Sequence, residues 1–191
     1  MRTILFLGYK KSETTLISFL RKKKFKVVEY GQKPLKKEVL DKKFHIIISF
    51  GYKIIIKESL LKYINRPIVN LHISYLPYNR GAHPNYWSFI NNTPKGVSIH
   101  EINSKIDKGN LILRKKINFG KKKEHTFKST HNTLISEVEN LFKKNINLIF
   151  SRKYKKINTK ILGSYHSKSQ LPKSLISWDV KISEYLKNYF K

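Results

Sequence analysis

The sequence contains no cysteine. This absence excludes a disulfide framework, a cysteine-ligated zinc or iron–sulfur site and a thiol nucleophile. Long hydrophobic runs are also absent, since the longest, around His45–Phe50, is far below the roughly 20 residues that a bilayer span requires. The first residues lack the small-residue cleavage site of a signal peptide and are typical of a buried strand. We therefore expect a soluble, cytoplasmic protein with no membrane span.

Acidic residues are scarce, with 12 Asp and Glu against 40 Lys and Arg, which gives a net charge of +28. Such a charge attracts polyanions, and one interpretation is a dedicated nucleic-acid surface. The other is the coding bias of an A+T-rich genome, because the basic residues are mostly lysines. These lysines are dispersed along the chain, as at Lys22–Lys24, Lys143-Lys144 and Lys155-Lys156. Nonspecific affinity for polyanions is expected under both interpretations.

Length and hydrophobic content predict one domain with a short appendage, since 191 residues that are 40% hydrophobic can bury a substantial core. Short apolar runs alternate with segments of helical periodicity, which is typical of βαβ units and a parallel sheet. The predicted strands are Thr3–Leu7, Phe25–Tyr30, His45–Phe50 and Pro67–Leu71, and the helices between them are Ser12–Arg21 (with Ser12 as N-cap), Leu35–Lys43 and Lys57–Tyr63. We predict a Rossmann-like α/β fold with a mostly parallel sheet flanked by helices.

The second half of the chain continues the pattern. It predicts a helix over Pro84–Ile90, strands over Gly96–Ile102 and Leu111–Ile117, one long helix over Thr126–Phe150 and a short helix over Val180–Tyr189. Residues 1–150 are predicted to form the catalytic domain, and residues 151–191 an appendage packed on or near it.

Several polar residues lie at the ends of predicted strands, where packing of the core does not explain them. Asn70 and His72 lie two residues apart at the carboxyl end of a predicted parallel strand, so their side chains share a face where open α/β sheets bind ligands. Asp107 comes from a turn between two later strands. Asn, His and Asp without a Ser or Cys nucleophile suit acyl transfer to an amine. Asn70 would donate to the oxyanion, His72 would act as a positioned acid, and Asp107 would orient the imidazole. His100 is interpreted as a packed histidine.

Two motifs make a family resemblance specific. The first is Asn-x-His-x-Ser-x-Leu-Pro from Asn70, followed by Arg80-Gly81 and a proline; the second is Gly-Val-Ser-Ile-His from Gly96, followed by Ile-Asp-x-Gly. Together they resemble the folate-dependent formyltransferases, which act on methionyl-tRNA, glycinamide ribonucleotide or amino sugars. The resemblance, clear over Ile46–Phe119, implies transfer of a formyl group from 10-formyltetrahydrofolate to a primary amine without a metal. Asn70, His72 and Asp107 match the catalytic residues of that family.

The resemblance also implies binding residues. The donor pocket would be lined by Gly51, Tyr52, Ile54 and Ile55 on one wall and by Asn103 and Ile106 on the other. Ser74, Arg80 and Gly81 would bind the acceptor, and Arg80 would either bind an acceptor phosphate or hold the loop.

The resemblance favours a nucleotide-linked amino sugar as the acceptor. The chain after Ser151 is too short for a tRNA-binding domain of normal size, and the loop Gly8–Ser12 lacks a second glycine for a phosphate loop. The region between Tyr30 and His45 is abbreviated, which makes the amino-terminal half short. Methionyl-tRNA formyltransferase activity and a non-catalytic, basic RNA-binding relative remain as alternatives. A homodimer is a further expectation, because enzymes of this family are often dimers.

Overall fold

The computed structural model describes residues 1–64, 66–120, 125–159, 161–173, 175 and 177–190. Its strands, numbered along the chain, are β1 (Thr3–Gly8), β2 (Lys26–Tyr30), β3 (Ile46–Phe50), β4 (Ile68–His72), β5 (Arg80–Gly81), β6 (Gly96–Glu101), β7 (Leu111–Lys116) and β8 (Tyr165–His166). Six of them form the central sheet in the order β2-β1-β3-β4-β6-β7. The first four in that order run parallel, and β6 is antiparallel to both of its neighbours.

Helices flank this sheet on both faces. Those in the described residues are α1 (Leu16–Lys22), α2 (Lys37–Leu40), α3 (Glu58–Tyr63), α4 (Pro84–Ile90), α5 (Phe127–Lys144), α6 (Ile146–Ser151) and α7 (Ile182–Tyr189), with a 3-10 turn at Lys168–Gln170. Helices α1, α5 and α6 cover one face of the sheet, and α2 and α3 cover part of the other. The predicted α/β fold with a mostly parallel, helix-flanked sheet is thus confirmed. None of the described helices has the length and apolar character needed to cross a membrane.

The apolar patterns explain which elements lie at the centre. All five residues of β3 are buried, because helices cover both of its faces and β1 and β4 flank it. Helix α5 buries one stripe at intervals of three or four residues: Phe127, Thr130, Leu134, Val138 and Phe142. The start of α5 is also determined by neighbouring residues, because Thr126 and Ser129 form a reciprocal capping box.

Helix α1 begins later than predicted. Its N-cap is Thr15 and not Ser12, which lies in a turn. The reason is tertiary, since the Glu139 carboxylate on α5 accepts a hydrogen bond from the Thr15 backbone N–H at 3.2 Å and another from the Thr14 hydroxyl at 2.6 Å. A carboxylate from a distant helix therefore satisfies the start of α1.

Two other predicted helices differ in extent. The segment Thr126–Phe150 is not one helix, because it breaks at Asn145 between α5 and α6. The Asn145 side chain donates to the Leu141 carbonyl at 2.8 Å, and its backbone N–H bonds to Phe142. The helix predicted over Leu35–Lys43 shrinks to α2, since Lys36 is extended and Leu35 is buried in the core.

The carboxyl-terminal segment returns to the body of the protein. Strand β8 pairs in parallel with β5, and Ile182 of α7 is fully buried in a cluster with Tyr86 and Phe127. The division at residue 150 into a domain and an appendage stays a prediction.

Candidate active site

The carboxyl end of β4 presents Asn70 and His72 on one face of the sheet. Their neighbours Val69 and Leu71 point to the opposite face, into the cluster that α1 and α5 cover. In the sheet register, Asn70 lies opposite Ser49 of β3 and His100 of β6. Two loops bring further groups to this face, because the chain after β4 supplies Gly81 and the turn between β6 and β7 supplies Asp107.

Four polar groups meet there. The Asn70 amide nitrogen lies 3.0 Å from His100 Nε2, which lies 3.4 Å from Asp107 Oδ1. His72 Nε2 is 3.7 Å from Asp107 Oδ2, and the Gly81 backbone N–H donates to that same oxygen at 2.8 Å. The three predicted catalytic residues are therefore brought into one cluster, joined by His100.

The environment keeps Asp107 ionised. Burial alone would raise the pKa of its carboxyl, but the His72 and His100 imidazoles and the Gly81 amide outweigh that effect and hold the pKa well below its usual range. A carboxylate that remains charged in a buried cluster can orient an imidazole and stabilise its protonated form.

His72 is buried and has a free nitrogen. Burial lowers the pKa of its imidazole, against the opposing effect of the Asp107 carboxylate. Its Nε2 is a buried atom without a hydrogen-bond partner in the described part of the chain. Because buried polar atoms of native proteins are normally paired, this nitrogen is available to a ligand.

His100 is the residue that sequence reasoning undervalued. It is fully buried, as expected of a packed histidine, but it contacts both Asn70 and Asp107. Its Nδ1 lies 2.7 Å from the Glu101 carbonyl oxygen, and its Nε2 faces both the Asn70 amide nitrogen and Asp107 Oδ1. Its place in the Gly-Val-Ser-Ile-His motif was the available signal.

The predicted donor-binding residues lie on two loops. Gly51 has a φ of +68°, and a Cβ there would lie 2.5 Å from the Tyr9 ring. The Tyr52 hydroxyl donates to the Lys33 carbonyl, and Asn103 shapes its own turn by accepting from the Lys105 N–H. Of the isoleucines, Ile54 is half-buried, whereas Ile55 is 76% exposed and Ile106 is 43% exposed.

The predicted acceptor-binding residues differ in whether they contact the polar cluster. The Ser74 hydroxyl donates to the Tyr78 carbonyl, and the Arg80 guanidinium donates to the Ser164 carbonyl at 3.2 Å and the Leu162 carbonyl at 3.4 Å. These contacts favour the loop-holding interpretation of Arg80. Of the three residues, only Gly81 makes a hydrogen bond to the cluster.

Among the described residues, no group of three or more His, Asp or Glu side chains is placed to hold a metal ion.

Comparison with known proteins assigns the chain to a family. Residues 5–144 match the family described as formyl transferase. This chain belongs to the formyl transferase family. The match includes Asn70, His72, His100 and Asp107, and it confirms the resemblance inferred from the two motifs.

Individual formyltransferases are similar over different lengths. The bifunctional polymyxin resistance protein ArnA of Wigglesworthia glossinidia brevipalpis is 33% identical over 136 residues, which are 70% of this chain and 20% of that protein. A methionyl-tRNA formyltransferase of Alkaliphilus oremlandii is 30% identical over 113 residues, 59% of this chain and 36% of the relative. The chain thus spans only about a fifth to a third of the length of these curated relatives.

One solved structure matches nearly end to end. The formyltransferase PseJ from Anoxybacillus kamchatkensis has a TM-score of 0.86 and 34% identity, covering 95% of this chain and 96% of that chain. Its structure was determined in complex with UDP-4,6-dideoxy-4-formamido-L-AltNAc and tetrahydrofolate. The similarity includes most of the carboxyl-terminal segment, which lies beyond the family match.

Proposed function

We propose that this protein transfers a formyl group from 10-formyltetrahydrofolate to the amino group of a nucleotide-linked amino sugar. The observation that carries the proposal is the cluster in which His100 joins Asn70 to Asp107 and His72 lies 3.7 Å from Asp107. Within the described part of the chain, His72 Nε2 has no hydrogen-bond partner. The near full-length similarity to PseJ, whose complex holds a formamido sugar nucleotide and tetrahydrofolate, supports the choice of acceptor and donor.

The donor, when bound, supplies an activated formyl carbonyl. The Asn70 amide has two N–H groups, of which one points to His100, so the second can donate to the carbonyl oxygen as negative charge develops there. His100 holds that amide in place, because its own ring is fixed by the Glu101 carbonyl.

His72 and Asp107 move the proton. Because the pKa of His72 is lowered, its imidazole is neutral near pH 7, and Nε2 can take the proton that the attacking amine loses. The ionised Asp107, 3.7 Å away, stabilises the imidazolium that results. The amine is itself the nucleophile, so no side chain needs to form a covalent bond. When the bond between the formyl carbon and the donor nitrogen breaks, the His72 imidazolium can return the proton to that nitrogen, and tetrahydrofolate leaves. This second step is the acid role that the sequence predicts for His72.

The residues proposed for the donor pocket fit a flat, mostly apolar ring. Ile55 and Ile106 expose large apolar side chains on two loops, and Ile106 adjoins Asp107. Such apolar walls with a few polar groups are typical of cofactor sites. Backbone groups of the Gly51–Ile55 segment would read the edge of the ring.

The test is formyl transfer from 10-formyltetrahydrofolate to a UDP-linked 4-amino-4,6-dideoxy sugar, the amine corresponding to the PseJ ligand. The His72→Ala variant should lose about 10²–10⁴ in rate if His72 carries the proton. His131→Ala, a half-buried histidine on α5, should keep wild-type turnover. Near-normal turnover of His72→Ala would contradict the proposal.

Methionyl-tRNA is a second candidate acceptor, favoured by the net charge of +28 and by the methionyl-tRNA formyltransferase among the relatives. The same assay with charged initiator tRNA separates the two, because formylation of the tRNA and not of the sugar would replace the first proposal. A homodimer and a cytoplasmic location stay predictions.

A further inference from the structure

Strand β8 and the residues before it are hydrogen-bonded to the loop that follows β4. The Ser164 N–H donates to the Pro77 carbonyl at 3.2 Å, the Arg80 N–H donates to the Ser164 carbonyl at 3.0 Å, and the Ala82 N–H donates to the His166 carbonyl at 2.8 Å. Gly163, at φ +70°, passes so close to the loop that a Cβ there would lie 2.0 Å from the Pro77 oxygen. The carboxyl-terminal strand is therefore a fixed part of the loop that carries Gly81.

The side chains of this strand alternate. The Ser164 hydroxyl accepts from the Asn79 N–H at 2.8 Å, and the His166 ring stacks on Trp87 with centroids 4.2 Å apart, so both side chains bind the body of the protein. Tyr165 lies between them and points the other way, as strand geometry requires. Its side chain is left 47% exposed.

The Tyr165 ring lies directly over the residue that binds Asp107. A Cβ at Gly81 would be 2.8 Å from this ring, and the Gly81 N–H donates to Asp107 Oδ2 at 2.8 Å. This exposed aromatic face stands on a strand beside the polar cluster, whose His72 Nε2 lacks a hydrogen-bond partner among the described residues. Such a face has the chemistry of a contact surface for a sugar or nucleoside ring.

We propose that Tyr165 is a specificity-determining residue that contacts the acceptor, a proposal that rests on the proposed function. Its ring forms the wall of the acceptor site above Gly81, and it packs against the sugar or base of the nucleotide-linked amine. The carboxyl-terminal strand thereby completes a site whose reacting groups all come from β4, β6 and their loops.

The test measures KM separately for the UDP-linked amino sugar and for 10-formyltetrahydrofolate. Tyr165→Ala should raise the KM of the acceptor about five- to tenfold and leave the KM of the donor unchanged. Tyr165→Phe, which keeps the ring, should stay within about twofold of the wild type. The matched control is Tyr189→Ala, because Tyr189 is 40% exposed on α7, and it should leave both constants unchanged.

A lower thermal midpoint of Tyr165→Ala with both KM values unchanged would overturn the proposal, since a purely structural role would give that result. Equal increases for donor and acceptor would also overturn it. If the wild type transfers no formyl group, calorimetry with the same sugar nucleotide tests whether Tyr165 contacts the acceptor. If the wild type binds the sugar nucleotide and Tyr165→Ala binds it more weakly, the role of Tyr165 in acceptor binding is supported although the proposed reaction is wrong. If the folded wild type does not bind it, both the role of Tyr165 and the proposed function are wrong.

Discussion

Asp107 is a single carboxylate placed between two imidazoles and fixed by a backbone amide. His72 and His100 approach its two oxygens separately, at 3.7 and 3.4 Å. The two histidines therefore have different roles around one charge. His100 contacts Asn70 and the Glu101 carbonyl, whereas His72 Nε2 has no hydrogen-bond partner in the part of the chain that the structure describes.

This arrangement predicts the pH behaviour of His72. Because burial lowers its pKa, the neutral form persists below the ordinary histidine value of about 6.5. The acidic limb of kcat/KM should therefore fall at a pH below that value. Asp107 raises the pKa of His72, so Asp107→Asn should lower that pKa further, which an NMR titration of labelled histidine measures. An increase in the variant would contradict the assignment, and the pKa of His131 should not change.

Gly81 predicts a second effect at the scale of one residue. It has a φ of +88°, and an added Cβ would lie 2.3 Å from the His166 carbonyl oxygen. Gly81→Ala should therefore lower the free energy of unfolding by about 1–3 kcal/mol. Gly31 has nothing within 4 Å of the same position, so Gly31→Ala should be neutral or stabilise by up to about 1 kcal/mol. Urea unfolding measures both, and equal effects would contradict the close approach of β8 to Gly81.

At the scale of elements, α5 positions α1 through one buried side chain. Glu139 is 5% exposed and accepts hydrogen bonds from Thr14 and Thr15, while Lys143 lies 3.6 Å away. This contact joins the amino-terminal βαβ unit to the longest helix of the described chain.

Removal of the Glu139 side chain should therefore lower the free energy of unfolding. Glu139→Ala leaves the Thr14 hydroxyl and the start of α1 unsatisfied, and we expect it to lower the free energy of unfolding by at least about 2 kcal/mol. Glu137 on the same helix pairs with Lys115 near the surface, so Glu137→Ala should cost at most about 1 kcal/mol. Denaturant titrations of the two variants compare them, and similar losses would show that Glu139 does not cap α1.

At the scale of the whole molecule, the charge of +28 predicts binding without sequence preference. The lysines recur along the chain, so we expect tRNA and unrelated RNA of equal length to bind with similar affinity. That affinity should fall by at least about 100-fold between roughly 50 and 200 mM salt, because counterion release governs such binding. Fluorescence anisotropy at several salt concentrations measures it. A clear preference for tRNA would instead support the methionyl-tRNA alternative.

Local patterns determined much of this protein from the sequence alone. The helix Pro84–Ile90 has the predicted bounds, and β3 is the predicted buried strand, because a proline start and a continuous apolar run act on neighbouring residues. Two spaced motifs were enough to identify the family and to predict that Asn70, His72 and Asp107 form one site.

Only the tertiary structure decided the contacts between distant parts of the chain. The start of α1 depends on Glu139, Arg80 is directed to carbonyls of the carboxyl-terminal segment, and Gly81 is set by the pairing of β5 with β8. Two-residue strands have no periodicity to recognise, and residues more than 80 positions apart meet only when the whole chain has folded. For the same reason, the place of His100 beside Asn70 depended on sheet register, which the sequence did not reveal.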